Sequence, residues 1–139
     1  MILIIQSLWN EAITQKLVTG AQKLLDSKKY KHKLIQVPGA LEIPLAMQWA
    51  LKKHKAKVLG VITCGTVVKG DTYHFELVAN ESSRQIADLS LKFNIPVGHG
   101  ILATYDIDQA LERAGGTKGN KGEEAAEAVV EMLELKKKI

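Results

Sequence analysis

Continuous apolar runs alternate along this chain with apolar residues spaced three and four apart. Ile2-Leu3-Ile4-Ile5 is such a run, and reads as a strand buried on both faces. After the turn at Ser7-Leu8-Trp9-Asn10, the residues Ile13, Leu17, Ala21, Leu24 and Leu25 mark one helical face, with Asn10 as its expected N-cap and Glu11 as a favourable first-turn charge. Lys28 to Lys33 is a polar connection, and Lys33 to Val37 is a second strand stopped by Pro38 and Gly39. Pro44 suits the first turn of a helix continued by Leu45, Gln48, Trp49 and Lys52, in which Trp49 is expected to face the core. Val58 to Ile62 is a third strand. Gly65 and Gly70 bound the loop after it, and Phe75, Val78, Ser82, Ile86, Leu89 and Phe93 form the face of a long helix. Ile95 to Leu102 is a fourth strand, and two glycines beside His99 suggest that something approaches the backbone there. Thr104 or Asp106 caps a short helix from Ile107 to about Ala114. Four glycines between Gly115 and Gly122 predict irregular chain, before a last helix over about Glu123–Leu135 with acids at its start and lysines at its end.

Strands alternating with helices imply a parallel sheet covered on both faces. Right-handed crossovers leave few arrangements. The expectation is a three-layer α/β/α sandwich, flavodoxin-like, with a four-stranded parallel sheet in the order 2-1-3-4, and residues 1–139 forming one domain. Ligands in such sheets bind at the carboxyl ends of the strands. That edge would hold Trp9-Asn10, Ala40-Leu41-Glu42, the segment from Gly65 to His74, and the region after His99.

The segment Gly65-Thr66-Val67-Val68-Lys69-Gly70-Asp71-Thr72-Tyr73-His74-Phe75-Glu76 is where chemistry concentrates. Its glycines have the spacing of a nucleoside-triphosphate loop, but Asp71 stands where that loop needs lysine, which argues against a triphosphate. A single phosphate group still suits the start of a helix. His74 opens that helix beside Asp71 and Glu76, where an imidazole can move protons; a structural surface role is equally open. Trp9 is either a rim-packing side chain or a platform for a planar ring. Arg113, Lys118 and Lys121 are either a solvated cationic loop or a phosphate clamp, in which Arg113 gives directed hydrogen bonds. No Cys, His or carboxylate cluster has convincing metal-ligand spacing.

Composition narrows this further. A length of 139 residues with 46% apolar side chains supports a real core. The charge of +4 comes with lysines in local groups, without the interleaved aromatics of a nucleic-acid surface apart from Tyr30. The one cysteine, Cys64, makes no internal disulfide and reads as a reduced core residue. Met1 to Ile5 is too short for a signal peptide or a spanning helix, so a cytoplasmic protein without membrane contact is expected.

Four segments in order resemble the lumazine synthase family. They are Trp9-Asn10-Glu11, Val37-Pro38-Gly39-Ala40-Leu41-Glu42-Ile43-Pro44, the Gly65 to Glu76 segment, and Leu111-Glu112-Arg113-Ala114-Gly115 with Gly119-Asn120-Lys121-Gly122. The resemblance covers essentially the whole chain. It implies condensation of a ribitylamino-diaminouracil with 3,4-dihydroxy-2-butanone 4-phosphate to 6,7-dimethyl-8-ribityllumazine, releasing phosphate and water. This is the penultimate step of riboflavin biosynthesis, and no cofactor or metal is implied. By matching positions, Trp9 would stack on the pyrimidine, and Asn10, Ala40, Leu41, Glu42, Val67 and Val68 would line the ring and ribityl pocket. Asp71 and Thr72 would offer donors to the phosphate, Arg113 would pair with it, His74 would move protons, and Lys121 would hold the cationic loop near the site.

The family also implies a homopentamer whose pocket lies between subunits, with His99, Arg113 and Lys121 supplied from next door. The chain starts at its first strand, without the extension common in the family, which favours a free pentamer over a sixty-subunit shell. Three positions depart from the pattern: Lys69 for the usual arginine, Asp71 for a small neutral residue, and His99 where phenylalanine is frequent. His99→Phe is accordingly expected to retain activity within about tenfold, or 1.4 kcal/mol. Two other readings compete: a non-catalytic relative that binds a flavin or lumazine, and a flavodoxin-like phospho-ligand or interaction module.

Overall fold

The computed structural model describes residues 1–139. Strands β1 (Ile2–Ser7), β2 (His32–Val37), β3 (Gly60–Val68) and β4 (Val97–Thr104) form a parallel sheet in the order β2-β1-β3-β4. Helices α1 (Glu11–Ser27), α2 (Ile43–His54), α3 (His74–Phe93), α4 (Ile107–Arg113) and α5 (Lys121–Lys136) pack around it. This is the flavodoxin-like sandwich expected. The unbroken apolar strands have a direct cause. Ile2, Ile4, Ile62 and Cys64 project into one core with α1 and α5, while Leu3, Ile5 and Val61 project into the other with α2 and α3.

Several local expectations are corrected. β3 does not stop before Gly65; it runs to Val68, so the loop is only Lys69 to Tyr73. Gly65 is there for space: a Cβ would come within 2.9 Å of Ser7 Oγ and 3.4 Å of Ile101. The glycine-rich segment is not irregular. Ala114–Gly116 (β5) pairs antiparallel with Gly119–Asn120 (β6), and α5 then starts at Lys121. Gly115 (φ 97°) and Gly119 (φ 85°) take the positive φ that this short hairpin requires. Asn120 closes the hairpin onto its surroundings. Its Oδ1 accepts from the Glu123 N–H (3.1 Å) and its Nδ2 donates to the Lys16 carbonyl (3.0 Å), capping α5 and tying it to α1.

Asn10 does not cap α1 through its side chain. It sits in the left-handed region (φ 58°), and its carbonyl accepts from the N–H groups of Ile13 and Thr14. Trp49 is not core: it is 64% exposed. The buried stripe of α2 is Ile43, Met47 and Leu51, each four residues apart, and Trp49 falls on the opposite side of the helix.

α5 is docked closely. A Cβ on Gly98 would meet the Ala125 carbonyl, and one on Gly122 would meet the Leu17 carbonyl. These contacts fix where Lys121 and the middle of β4 stand relative to the sheet edge.

Candidate active site

A cleft of about 460 Å³ opens at the carboxyl edge of the sheet. Trp9 and Asn10 enter it from the loop after β1. Ala40, Leu41 and Glu42 enter from a single 3-10 turn after β2. Val67 and Val68 come from the end of β3, and Thr72 and His74 from the start of α3. Nine of the residues expected at the site therefore share one hollow.

The loops are held to each other by main chain. The Leu8 N–H donates to the Val37 carbonyl (2.9 Å), and the Trp9 N–H donates to the Pro38 carbonyl (3.1 Å). Trp9 is thus anchored through its backbone while its indole stays 73% exposed, a flat face without an internal partner. On the far side, the Lys69 N–H donates to the Thr104 carbonyl (2.9 Å), Lys69 Nζ lies 5.7 Å from the Tyr105 ring centroid, and the Phe75 and Tyr105 rings stand 6.5 Å apart. These contacts fix the chain as it leaves β3. The first turn of α3 has no side-chain cap, so its leading N–H groups lack a side-chain partner, and helix starts of this kind favour anions. His74 is the first residue of that turn and is exposed. Asp71 stands on the exposed loop at the lip, outside the lining.

Three expected residues do not reach this cleft. His99 lies on β4 opposite Thr63, and its Nε2 is 2.8 Å from Ser83 Oγ. Arg113 ends α4, half-buried, with its guanidinium donating to the Gln109 carbonyl (3.0 Å) and lying 3.4 Å from Glu112. Lys121 opens α5, and its charge acts on His99. His99 keeps an exposed edge, but burial of its ring lowers the pKa, the Lys121 ammonium lowers it further, and a hydrogen bond to main chain works the other way.

The sequence profile of the family described as 6,7-dimethyl-8-ribityllumazine synthase matches residues 1–137. The chain belongs to the lumazine synthase family. Relatives carrying that name include proteins from Xanthobacter autotrophicus (41% identical, 99% of this chain, 86% of the relative), Campylobacter jejuni subsp. doylei (43%, 99% and 90%) and Kosmotoga olearia (44%, 99% and 89%).

The cleft also takes in Pro38, Gly39, Thr66, Gly70, Phe75 and Val78, which the sequence does not single out as site residues. Phe75 and Val78 were legible only as the inner stripe of α3. That stripe is half-buried at its first turns and its upper end reaches the cleft. Gly39 leaves room for the carboxylate, since a Cβ there would come within 3.0 Å of Glu42 Oε2. Cys64 plays no part in the chemistry. It is free and buried, and burial pushes its pKa to about 12, which leaves no useful thiolate. No helix is long and apolar enough to cross a membrane.

Proposed function

We propose that this chain, acting over residues 1–139 as one lumazine synthase domain, condenses 5-amino-6-(D-ribitylamino)uracil with 3,4-dihydroxy-2-butanone 4-phosphate to 6,7-dimethyl-8-ribityllumazine, in the cytoplasm. One observation carries the assignment of roles. The Trp9 plane, the Glu42 carboxylate, the uncapped start of α3 and His74 converge on a single cleft. In this reading the pyrimidine lies against Trp9, and its ribityl chain runs past Asn10, Ala40, Leu41 and Glu42. Val67 and Val68 form the floor. The phosphate of the second substrate sits at Asp71-Thr72, held by main-chain N–H groups and the Thr72 hydroxyl. Asp71 contributes backbone only, since its carboxylate repels phosphate. His74 then stands beside both reacting centres.

The chemistry asks little beyond this. Amine attack on the ketone forms an imine and expels water. Loss of a proton and of phosphate gives an enol that tautomerises to a ketone, and attack on that ketone by the ribityl-bearing nitrogen, with loss of a second water, closes the ring. Each step moves a proton, which His74 serves. Holding two substrates in register supplies much of the rest.

Assembly belongs to the same proposal. Arg113, His99 and Lys121 lie away from their own chain's cleft, which is the arrangement expected if they complete the cleft of a neighbour in a homopentamer. Exposed apolar side chains such as Leu45 and Trp49 on α2 favour association of copies. A free pentamer is proposed rather than a sixty-subunit shell; a sedimentation coefficient fitting the shell overturns that choice.

The test is formation of fluorescent lumazine from the two substrates above the spontaneous rate, with His74→Ala and Arg113→Ala alongside. Turnover that falls in both variants supports proton transfer by His74 and phosphate pairing by Arg113. A folded, oligomeric protein with no turnover is instead a binding relative, and Trp9 quenching by riboflavin then becomes its readout.

A further inference from the structure

We propose that Ser83 is a positioning residue for this reaction: its hydroxyl donates to Nε2 of His99 and fixes that histidine as a flat, neutral ring in a single tautomer. The role rests on the proposed assembly, in which His99 faces the heterocycle bound in a neighbouring copy's cleft.

The geometry supports it step by step. Ser83 Oγ and His99 Nε2 are 2.8 Å apart, a full hydrogen bond between α3 and β4. Either atom can donate, so the other partners of the hydroxyl decide. The Ser83 hydroxyl has no other partner within the chain, so its hydrogen has Nε2 as its acceptor. The proton therefore sits on Nδ1, Nε2 carries the lone pair, and the hydroxyl points its hydrogen at Nε2. A second proton on the ring is opposed from outside. The charged neighbours on α3, namely Glu81, Arg84 and Asp88, are engaged with one another at 2.7 and 3.2 Å. β3 brings the neutral Thr63 opposite in register. The charge that acts on the ring is that of Lys121 at the start of α5, and it repels an imidazolium. Nε2 is thus engaged within the fold, and what His99 shows outward is an uncharged aromatic face, as a phenylalanine would. Ser83 looks unremarkable in sequence, one polar residue on a helix. Its neighbour Ser82 turns inward and bonds back to the Val78 carbonyl (2.7 Å), whereas Ser83 bonds across to the sheet.

The experiment uses the assembled full-length protein and four chains: parent, Ser83→Ala, His99→Phe and the double variant. Nitrogen-15 histidine spectra, with His99→Phe identifying the signal, report the tautomer and titration of His99. The expected result is an Nδ1–H ring in the parent. In Ser83→Ala the signal becomes a mixture of tautomers and its titration midpoint moves up. Loss of one hydrogen bond should raise KM for the ribitylaminouracil about threefold to tenfold in Ser83→Ala, with kcat little changed. In the His99→Phe background the same Ser83→Ala change should leave KM within about twofold. An Nε2–H ring in the parent overturns the proposal. So does a Ser83→Ala penalty of equal size in both backgrounds, because Ser83 would then act without His99. These failures leave the assignment of the reaction standing. Absence of turnover in the parent overturns the reaction itself, and with it this role.

Discussion

The sheet ends in two hollows, and the larger one is not the candidate site. The cleft at the carboxyl edge measures about 460 Å³ and the hollow at the amino edge about 860 Å³. The larger is floored by Leu51, Val58, Phe93 and Ile95 and rimmed by Lys55, Lys92, Lys136 and Lys137. Its polar groups are lysines, a tyrosine and an asparagine, with no histidine or carboxylate to exchange protons near neutrality. The smaller cleft has His74, Glu42, two hydroxyl-bearing threonines and the start of α3. The difference follows from the direction of the chain. In a sheet of parallel strands crossed by helices, the helices begin at one edge and end at the other. Donor N–H groups and positive dipole ends face the carboxyl edge, while carbonyl ends collect at the amino edge and attract lysines. The backbone has therefore polarised the two hollows before any side chain adds chemistry.

The largest test of this contrast is His74→Ala, which should lower kcat by about 10²-fold, the low end for loss of a general acid–base group. Arg113→Ala should act differently. Loss of a charged hydrogen-bonding partner of phosphate should raise KM for the butanone phosphate by about tenfold to a hundredfold, with less effect on kcat. Steady-state kinetics with each substrate varied in turn separate the two. Equal effects of both variants on kcat alone would remove Arg113 from phosphate binding.

Gly98→Ala probes the docking of α5, whose last turns line the amino-edge hollow and not the cleft. The added methyl group would drive into the Ala125 carbonyl, which is main chain and cannot swing aside. A loss of about 1–3 kcal/mol is expected from a urea unfolding midpoint, as for overpacked cores. Gly70→Ala is the control, since nothing lies within 4 Å of the Cβ it would gain. A midpoint for Gly98→Ala that matches this control would mean α5 is held more loosely than its close contacts imply.

The smaller cleft was largely legible in the sequence, because its parts are local. Strand runs, helix stripes and the residues just after each strand place Trp9, Ala40 to Glu42 and the segment from Gly65 to His74 at that edge, whereas Val67 and Val68 are singled out by the family resemblance. What stayed hidden depends on distant parts of the chain. Gly65 reads as a loop glycine until Ser7 and Ile101 are seen crowding it inside β3. Gly115 to Asn120 reads as irregular because pairing between β5 and β6 shows in no periodicity. Trp49 reads as core because it lies inside a helix; the Ile43, Met47, Leu51 stripe shows that it faces outward. Nothing in the sequence pattern marks the amino-edge hollow, although every lysine around it is visible there.

The two exposed tryptophans sharpen the contrast at smaller amplitude. Trp9→Ala removes the ring platform and should raise KM for the ribitylaminouracil about threefold to tenfold, in line with the loss of an aromatic stacking contact. Trp49→Ala should leave that KM within about twofold, because Trp49 lies on the outward face of α2 and lines neither hollow. Riboflavin should quench fluorescence in Trp49→Ala and lose most of its quenching in Trp9→Ala. Quenching that survives the loss of Trp9 would move the ring site elsewhere.

The smallest kinetic effect is expected where the positive charge is densest. Lys55 follows the end of α2, Lys92 lies in the last turn of α3, and Lys136 lies in the last turn of α5. Each faces the carbonyl end of its helix, where a cation contributes a few tenths to about 1 kcal/mol at low salt. The triple variant Lys55→Ala/Lys92→Ala/Lys136→Ala should therefore lower the urea midpoint at low ionic strength. The loss should shrink as salt screens the dipole, since the Debye length falls to about 3 Å at 1 M. Its kcat/KM for both substrates should stay within about twofold of the parent, because distant sites act independently. A rise in KM for the phosphorylated substrate would show that the amino-edge lysines belong to phosphate capture, and the chain direction would no longer explain why the two hollows differ.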